Sequence, residues 1–377
     1  MKLYTEQTAQ WLRSHEEETK DLLRQLCRIP APSHKEEKRA AFCRDWLLAN
    51  GAKTVWTDEA LNVICPYGEN DQGAWRIFMA HTDTVFPDTE PMPMREENGI
   101  LYAPGSGDDT ANVAVLLMMA KYCFEEKPAL SDPLLFVCNS CEEGLGNLKG
   151  SRAICQVYGA HTKEMVSLDG TLGWAVNHAV GSRRYQVQVK TEGGHSFGSF
   201  GNRNAIHVLS EMVVRLYGMK VPEKAKTTYN VGTIAGGTSV NTIAQKATML
   251  FEYRSEDREC LQIMEQQFRA IVEEIRPLCQ SLSVELLGER PCDGDVDWKK
   301  HEELEQRCRQ AYKAVTGQAL TLSPGSTDCN TFLNAGIPCF CTGCVSGEGA
   351  HTREEWVELD SLQTGLQLAA RLILTED

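Results

Sequence analysis

The sequence predicts an α/β domain with a mixed, largely parallel sheet, interrupted by a two-layer α+β insertion. Three observations predict it. Short apolar segments at 63–65, 75–80 and 133–138 alternate with stretches of helical periodicity, the order that lays helices over a sheet. From about residue 180 the texture changes to alternating strands and amphipathic helices, as in an antiparallel sheet with helices on one face. Helices resume after about residue 288, so the chain divides into 1–179, 180–288 and 289–377, with the outer parts forming one domain. A length of 377 residues suits two domains of ordinary size.

The elements follow in order. Apolar residues recur at helical spacing over 5–29, and a second helical stretch, 35–48, stops at Asn50 and Gly51, a natural C-terminal stop. Strands at 63–65 and 75–80 precede an apolar helix at 110–124, a strand at 133–138, a helix at 148–158 and a strand at 165–169. Within the insertion, 184–190 alternates like a half-exposed strand, 205–217 is helical and 247–254 strand-like. A helix at 259–275 and a strand at 281–287 complete it. Helices at 298–315 and 360–374 then flank a short apolar segment at 337–341.

Composition narrows the function. Fifty-two acidic residues against 38 basic ones give a formal charge of -14, which disfavours nucleic acid and anionic membrane surfaces as partners. The N-terminus carries no secretory pattern, and the longest apolar run, 113–120, is far too short to span a bilayer. The expectation is a cytoplasmic protein. Fifteen cysteines, an odd number scattered through a long chain, read as free thiols rather than a disulfide framework. The C-x-x-C at Cys138 and Cys141 and the group Cys339, Cys341 and Cys344 raise a structural zinc or redox pair. Packed thiols are the stronger reading, because Cys138 ends an apolar strand.

Chemistry concentrates in loops that follow strands. His81-Thr82-Asp83-Thr84 follows the strand at 75–80, and in an extended chain His81 and Asp83 point to one face, so Asp83 can orient the imidazole. Gly105-Ser106-Gly107-Asp108-Asp109 opens the apolar helix with two acids, which could be a helix cap or could place a carboxylate between cations. Glu142 and Glu143 follow the strand at 133–138, Asp169 follows the strand at 165–168, and His351 lies in a loop near the C-terminus. Solvated turns explain any one of these loops. Together, two histidines and several carboxylates suit zinc, cobalt or manganese better than calcium, and a two-metal site needs a bridging acid.

The set resembles the co-catalytic dizinc peptidases and deacylases that include carboxypeptidase G, peptidase T, acetylornithine deacetylase and aminoacylase. The resemblance covers nearly the whole chain through HTDTVFP, GSGDDTANVAVLL, CEEGLGNLKGSR, SLDG, GGHSFGSFGNRNAIH and GAHTREEWVEL, in the family's order. It implies a zinc-exopeptidase-like catalytic domain carrying a lid and dimerisation domain. Asp108 would bridge two divalent ions, zinc first and cobalt or manganese as alternatives. His81 and Asp169 would complete one site, and Glu143 and His351 the other. Asp83 would steady His81, and Glu142 would be the general base that takes a proton from the metal-bridging water and delivers it to the leaving nitrogen. His195, Asn241 and Arg254 fall where the family contacts substrate, and in relatives the lid histidine reaches a partner subunit, so a homodimer is expected.

Departures from the family pattern are Thr110-Ala111-Asn112 after the paired aspartates, Cys141 before Glu142, and a longer, more aromatic segment around His195. The motifs lean toward the peptidase T-like branch, so the expected activity is exopeptidase cleavage of small peptides. The alternative is an N-acyl-amino-acid deacylase of the acetylornithine deacetylase or desuccinylase type, with Arg254 holding the product carboxylate. A noncatalytic binding protein that keeps the fold, and a cysteine hydrolase using Cys141, are the weaker rivals.

Overall fold

The apolar segments of the sequence form the middle of an eight-stranded sheet. In a computed structural model that describes residues 4–68 and 73–375, its order is Trp56–Thr57, Val63–Tyr67, Leu134–Asn139, Trp75–His81, Thr162–Leu168, Cys339–Thr342, Trp174–Ala179, Thr321–Gly325. Every residue of Trp75–His81 and Leu134–Asn139 is buried, the condition under which a strand reads as an unbroken apolar run. The four strands from Leu134–Asn139 to Cys339–Thr342 are mutually parallel, so their carboxyl ends share one edge. His81 there lies level with Asn139, and Thr342 with Leu168. The loops that leave this edge carry most of the acids and the histidine singled out in the sequence.

Behind them runs the helix Ala111–Glu126, buried without interruption from Ala111 to Cys123. A helix apolar nearly all round belongs inside a core. It packs against the strand Trp75–His81 and the helices Glu16–Cys27 and Ser361–Leu374. The opening helical stretch is two helices, Glu6–Ser14 and Glu16–Cys27, rather than one. At His15 the ring stacks on Trp11 at 3.8 Å, and its Nδ1 lies 2.8 Å from the Trp11 carbonyl. The side chain thereby engages an oxygen of the preceding turn, and the backbone at His15 leaves helical geometry (φ -107°, ψ 13°).

By its internal contacts the chain forms two compact units, Met1–Ala179 with Gly294–Asp377, and Val180–Asp293. The second unit is a four-stranded antiparallel sheet in the order Thr227–Gly236, Lys246–Ser255, Gly181–Lys190, Ser281–Arg290. Tyr185, Val187 and Val189 stand opposite Phe251, Met249 and Ala247, and this face packs under the helices Ala205–Leu216 and Arg258–Ile275. Phe251 stacks on Phe268 at 5.2 Å, while Asn204 and Asp257 cap the two helices. Ser182 is paired with Arg290, so the chain enters and leaves this unit at one place. The last strand continues to Arg290, past the residue 288 at which the sequence placed the end of the insertion.

A separate sheet in the first unit consists of four short strands, Gly347–Glu348, Trp356–Glu358, Ile100–Tyr102 and Arg95–Glu97. It holds the loop around His351 next to the turn that leads into Asp108.

Candidate metal centre

His81 is the last residue of its strand. Its backbone amide donates to Asp109 Oδ2 at 2.9 Å, and Asp109 also accepts from the Asn112 amide at 2.5 Å. The imidazole Nδ1 lies 3.1 Å from the Asp83 carbonyl oxygen and 3.4 Å from its carboxylate, which leaves Nε2 directed at Asp108 Oδ1, 3.0 Å away. The other Asp108 oxygen, Oδ2, lies 3.1 Å from His351 Nε2. The same His351 nitrogen is 2.9 Å from Glu143 Oε1. One carboxylate thus stands between two histidines, each of which meets a different oxygen.

Three sets of ligand atoms each lie within 4.8 Å of one another: His81, Asp108 and Asp169; His81, Glu142 and Glu143; and Asp108, Glu143 and His351. The structure therefore brings together all five residues expected to hold metal, with Glu142 beside them. Asp83 does more than face His81. Its carboxylate accepts the backbone amides of Glu142 and Glu143 at 2.9 and 3.0 Å and the Ser33 hydroxyl at 2.6 Å, so it fixes the loop that carries both glutamates. Glu36 secures the residue before them, accepting the Cys141 amide at 3.0 Å and the Cys141 thiol at 3.2 Å.

Sequence reading missed Glu36, Ser33 and Asp109 as parts of this scaffold. Asp109 was visible only as the second acid of a pair, and Glu36 only as one of two adjacent glutamates in the helical stretch 35–48. A further buried acid, Asp328, accepts from Asn139 at 2.6 Å on the strand beside His81.

The electrostatics are those of acids gathered without enough positive charge. Burial, reinforced by the charges of Asp108, Glu142 and Asp328, pushes the Asp169 carboxyl well above its ordinary value. Glu143 is raised to about 6 by burial against the opposing hydrogen bond of His351, with Asp108 adding to the rise. Asp328 is raised to about 7, chiefly by burial and then by Glu142. Burial would lower His81, but the carboxylates of Asp109, Asp108 and Asp83 outweigh it and the imidazole is raised. His351 is raised to about 10 by its hydrogen bonds to Asp108 and Glu143. For Asp108 the two histidines overcome burial and hold it low. Asp169, Glu143 and Asp328 pushed up and both imidazoles shifted toward their charged form mark a cluster with an excess of acid that cations would offset, and the nitrogen and oxygen donors suit zinc, cobalt or manganese. The residues therefore fit a pair of divalent ions.

The other expected residues lie in the second unit. His195 sits on the two-residue strand Gly194–His195, paired with Thr242 beside Asn241. Its Nδ1 accepts the amides of Phe197 and Gly198 at 3.3 Å, which puts the proton of a neutral ring on Nε2. Asn241 accepts from the Ser239 hydroxyl at 2.8 Å and from the Ser196 amide through its carbonyl at 2.9 Å. Arg254 is not with them. It lies eight residues along Lys246–Ser255 from Lys246, roughly 26 Å at ~3.3 Å per residue, and its fork already embraces Glu252 at 3.1 Å.

All fifteen cysteines are free, and all but Cys155 are buried. Burial and then Glu36 push the Cys141 thiol up to about 12, so it offers no thiolate for a cysteine hydrolase. Among the described residues no helix is long and apolar enough to cross a membrane.

A donor set of this kind, at the carboxyl edge of parallel strands, defines the class of metal-dependent hydrolases. The sequence profile of Peptidase family M20/M25/M40 matches residues 77–375, and the chain belongs to that family. A succinyl-diaminopimelate desuccinylase of Corynebacterium glutamicum is 24% identical over 357 residues, spanning 90% of this chain and 92% of the relative. The aminopeptidase PepT of Bacillus cereus shares the fold with a TM-score of 0.71 at 20% identity, over 95% of this chain and 98% of that one. A dinuclear metal-binding peptidase of the M20 family from Bacillus subtilis does so with a TM-score of 0.66 at 15% identity, over 96% and 98%. As a member of this family the chain is a hydrolase of amide bonds.

Proposed function

We propose that this chain is an exopeptidase of small peptides, similar to peptidase T, that works with two divalent ions, zinc in the first place. The observation that carries the reading is the Asp108 carboxylate, with one oxygen at His81 and the other at His351. In this reading His81 and Asp169 would hold one ion and Glu143 and His351 the other, with Asp108 placed to serve both. When bound, such a pair polarises the scissile carbonyl and lowers the pKa of water. Glu142, held by its amide to Asp83, takes the proton of the attacking water and returns it to the leaving nitrogen. Asp83 keeps His81 and the Glu142 loop in register with each other.

A second reading, removal of an N-acyl group from an amino acid, is favoured by the desuccinylase relative. A panel of tripeptides, dipeptides and N-acetyl and N-succinyl amino acids separates the two, assayed before chelation, after it, and after zinc or cobalt is restored. Rapid cleavage of tripeptides that vanishes with the metal and returns with it is the expected result. Cleavage of acylated amino acids alone moves the chain to the deacylases, and activity indifferent to chelation removes the metal reading.

The second unit we read as a lid and dimerisation domain, with His195 and Asn241 contacting substrate. Support comes from its exposed edge strand Thr227–Gly236 and from Phe197, Phe200 and Val240, which stand largely in solvent. Sedimentation of the active protein as a dimer is expected, and a fully active monomer contradicts it. The free cysteines agree with a cytoplasmic protein. Arg254 we read as a third group toward substrate, and in the deacylase alternative as the clamp of the product carboxylate. That role requires Glu252 to yield its place, and an Arg254→Ala protein with unchanged KM would end it.

A further inference from the structure

Glu355 lies four residues beyond His351 and is buried, with 2% of its surface exposed. Its two carboxylate oxygens accept three backbone amides from one turn: Oε2 takes Gly105 at 2.6 Å, and Oε1 takes Gly107 at 2.7 Å and Asp108 at 2.8 Å. The Glu355 carbonyl accepts the amide of Ala103 at 3.0 Å, so main chain and side chain dock on the same segment. The strand that follows, Trp356–Glu358, pairs with Ile100–Tyr102.

Gly107 is explained in part by this contact, and Gly105 by its own backbone. A Cβ at Gly107 would stand 3.2 Å from Glu355 Oε1 and 3.2 Å from Val357, and Gly105 has φ 75° with Thr84 against the place a Cβ would take. The turn is shaped so that its amides can reach a carboxylate from another part of the chain. No side chain of the turn supplies those acceptors, and buried amides left without one are unfavourable.

We propose that Glu355 is a positioning residue of the site: through the amides of the 105–108 turn, its carboxylate locks the presentation of Asp108 to the loop that carries His351. The inference rests on the two-ion reading given above and deepens it. Asp108 must offer one oxygen to each half of the site, and the Glu355 contact is what fixes its backbone relative to His351. Glutamine in this place keeps the size but turns a donor toward one of the amides, while aspartate keeps the charge and falls short of one end of the turn.

The test compares the wild-type holoenzyme with Glu355→Gln and Glu355→Asp by metal content, zinc competition against a chelator, the visible spectrum of the cobalt-loaded form, kcat, KM and Tm. Glu164→Gln is the comparator, because Glu164 is a buried carboxylate paired with Arg76 and Arg307 away from the site. Outer contacts that orient metal ligands change affinity or activity about 10- to 100-fold. Glu355→Gln is expected to weaken zinc retention and lower kcat by about 10- to 100-fold, with KM moving less than about 3-fold and an altered cobalt spectrum. Glu355→Asp should recover part of the loss, and Glu164→Gln should lower Tm while leaving metal affinity unchanged.

A Glu355→Gln protein with wild-type affinity, spectrum and kcat overturns the proposal. So does a result in which neither variant folds, because the carboxylate is then an element of folding and not of the site. Should the wild type itself hold no ions, the two-ion reading fails before any variant is compared. Where the wild type holds two ions and the variants match it, this inference alone falls.

Discussion

A protonated imidazole cannot ligate a cation, and without metal His351 is raised to about 10 and His81 above its ordinary range. His351 therefore carries a proton at neutral pH and His81 is shifted the same way, so a metal held by these imidazoles would have to displace protons. Metal affinity should therefore fall as pH falls from about 10, and binding near pH 8 should release protons. Calorimetry in buffers of different ionisation enthalpy measures that release, and uptake independent of buffer would contradict the assignment of His351.

Glu142 as the proposed base and Glu143 as a proposed ligand should respond differently to substitution. Glu142→Gln should keep both ions and lose about 100- to 10,000-fold in kcat, the usual share of a general base. Asp108→Asn should disturb both ions together. A Glu142→Gln protein that turns over at the wild-type rate rejects the base assignment.

At the scale of elements, the helix Ala111–Glu126 supports the 105–108 turn from behind. Leu117 within it is 1% exposed, so Leu117→Ala should lower unfolding free energy by roughly 2–5 kcal/mol in denaturant titration. Turnover below the transition should stay near wild type, since the substitution touches no ligand. A loss below about 1 kcal/mol would mean that the site tolerates a looser support than its packing implies.

The strands Trp75–His81 and Leu134–Asn139 were visible in the sequence because burial on both faces forces apolar runs. Thr227–Gly236 was not, since from Gly232 onward it is exposed throughout and only Tyr229 and Val231 pack on the core. Thr321–Gly325 hid behind Pro324 at the sheet edge, and strands of two or three residues leave no period to read. The loops with His81, Asp108, Glu142, Glu143, Asp169 and His351 stood out because their residue types are unusual after strands. Glu355 and Glu36, which hold two of those loops, did not, because their partners include backbone amides, which no side-chain pattern records.

For the whole molecule, the pairing of Ser182 with Arg290 brings the two ends of Val180–Asp293 together, and this unit has its own core around Tyr185, Phe251 and Phe268. A segment so joined can be excised without stretching the rest. Expressed alone, it should unfold cooperatively, with near-ultraviolet dichroism from its packed aromatics. The remainder, closed by a short linker, should keep its metal content while losing peptide turnover. Loss of metal from the closed remainder would show that the second unit takes part in holding the ions.

On the proposed reading His81, Asp108, Glu143, Asp169 and His351 would hold two ions with Asp108 between them. Anomalous diffraction at the zinc edge, from crystals of the zinc-loaded protein, checks this. Two peaks about 3.5–4 Å apart, one on each oxygen of Asp108, are expected. A single peak, or peaks away from these five side chains, would contradict it.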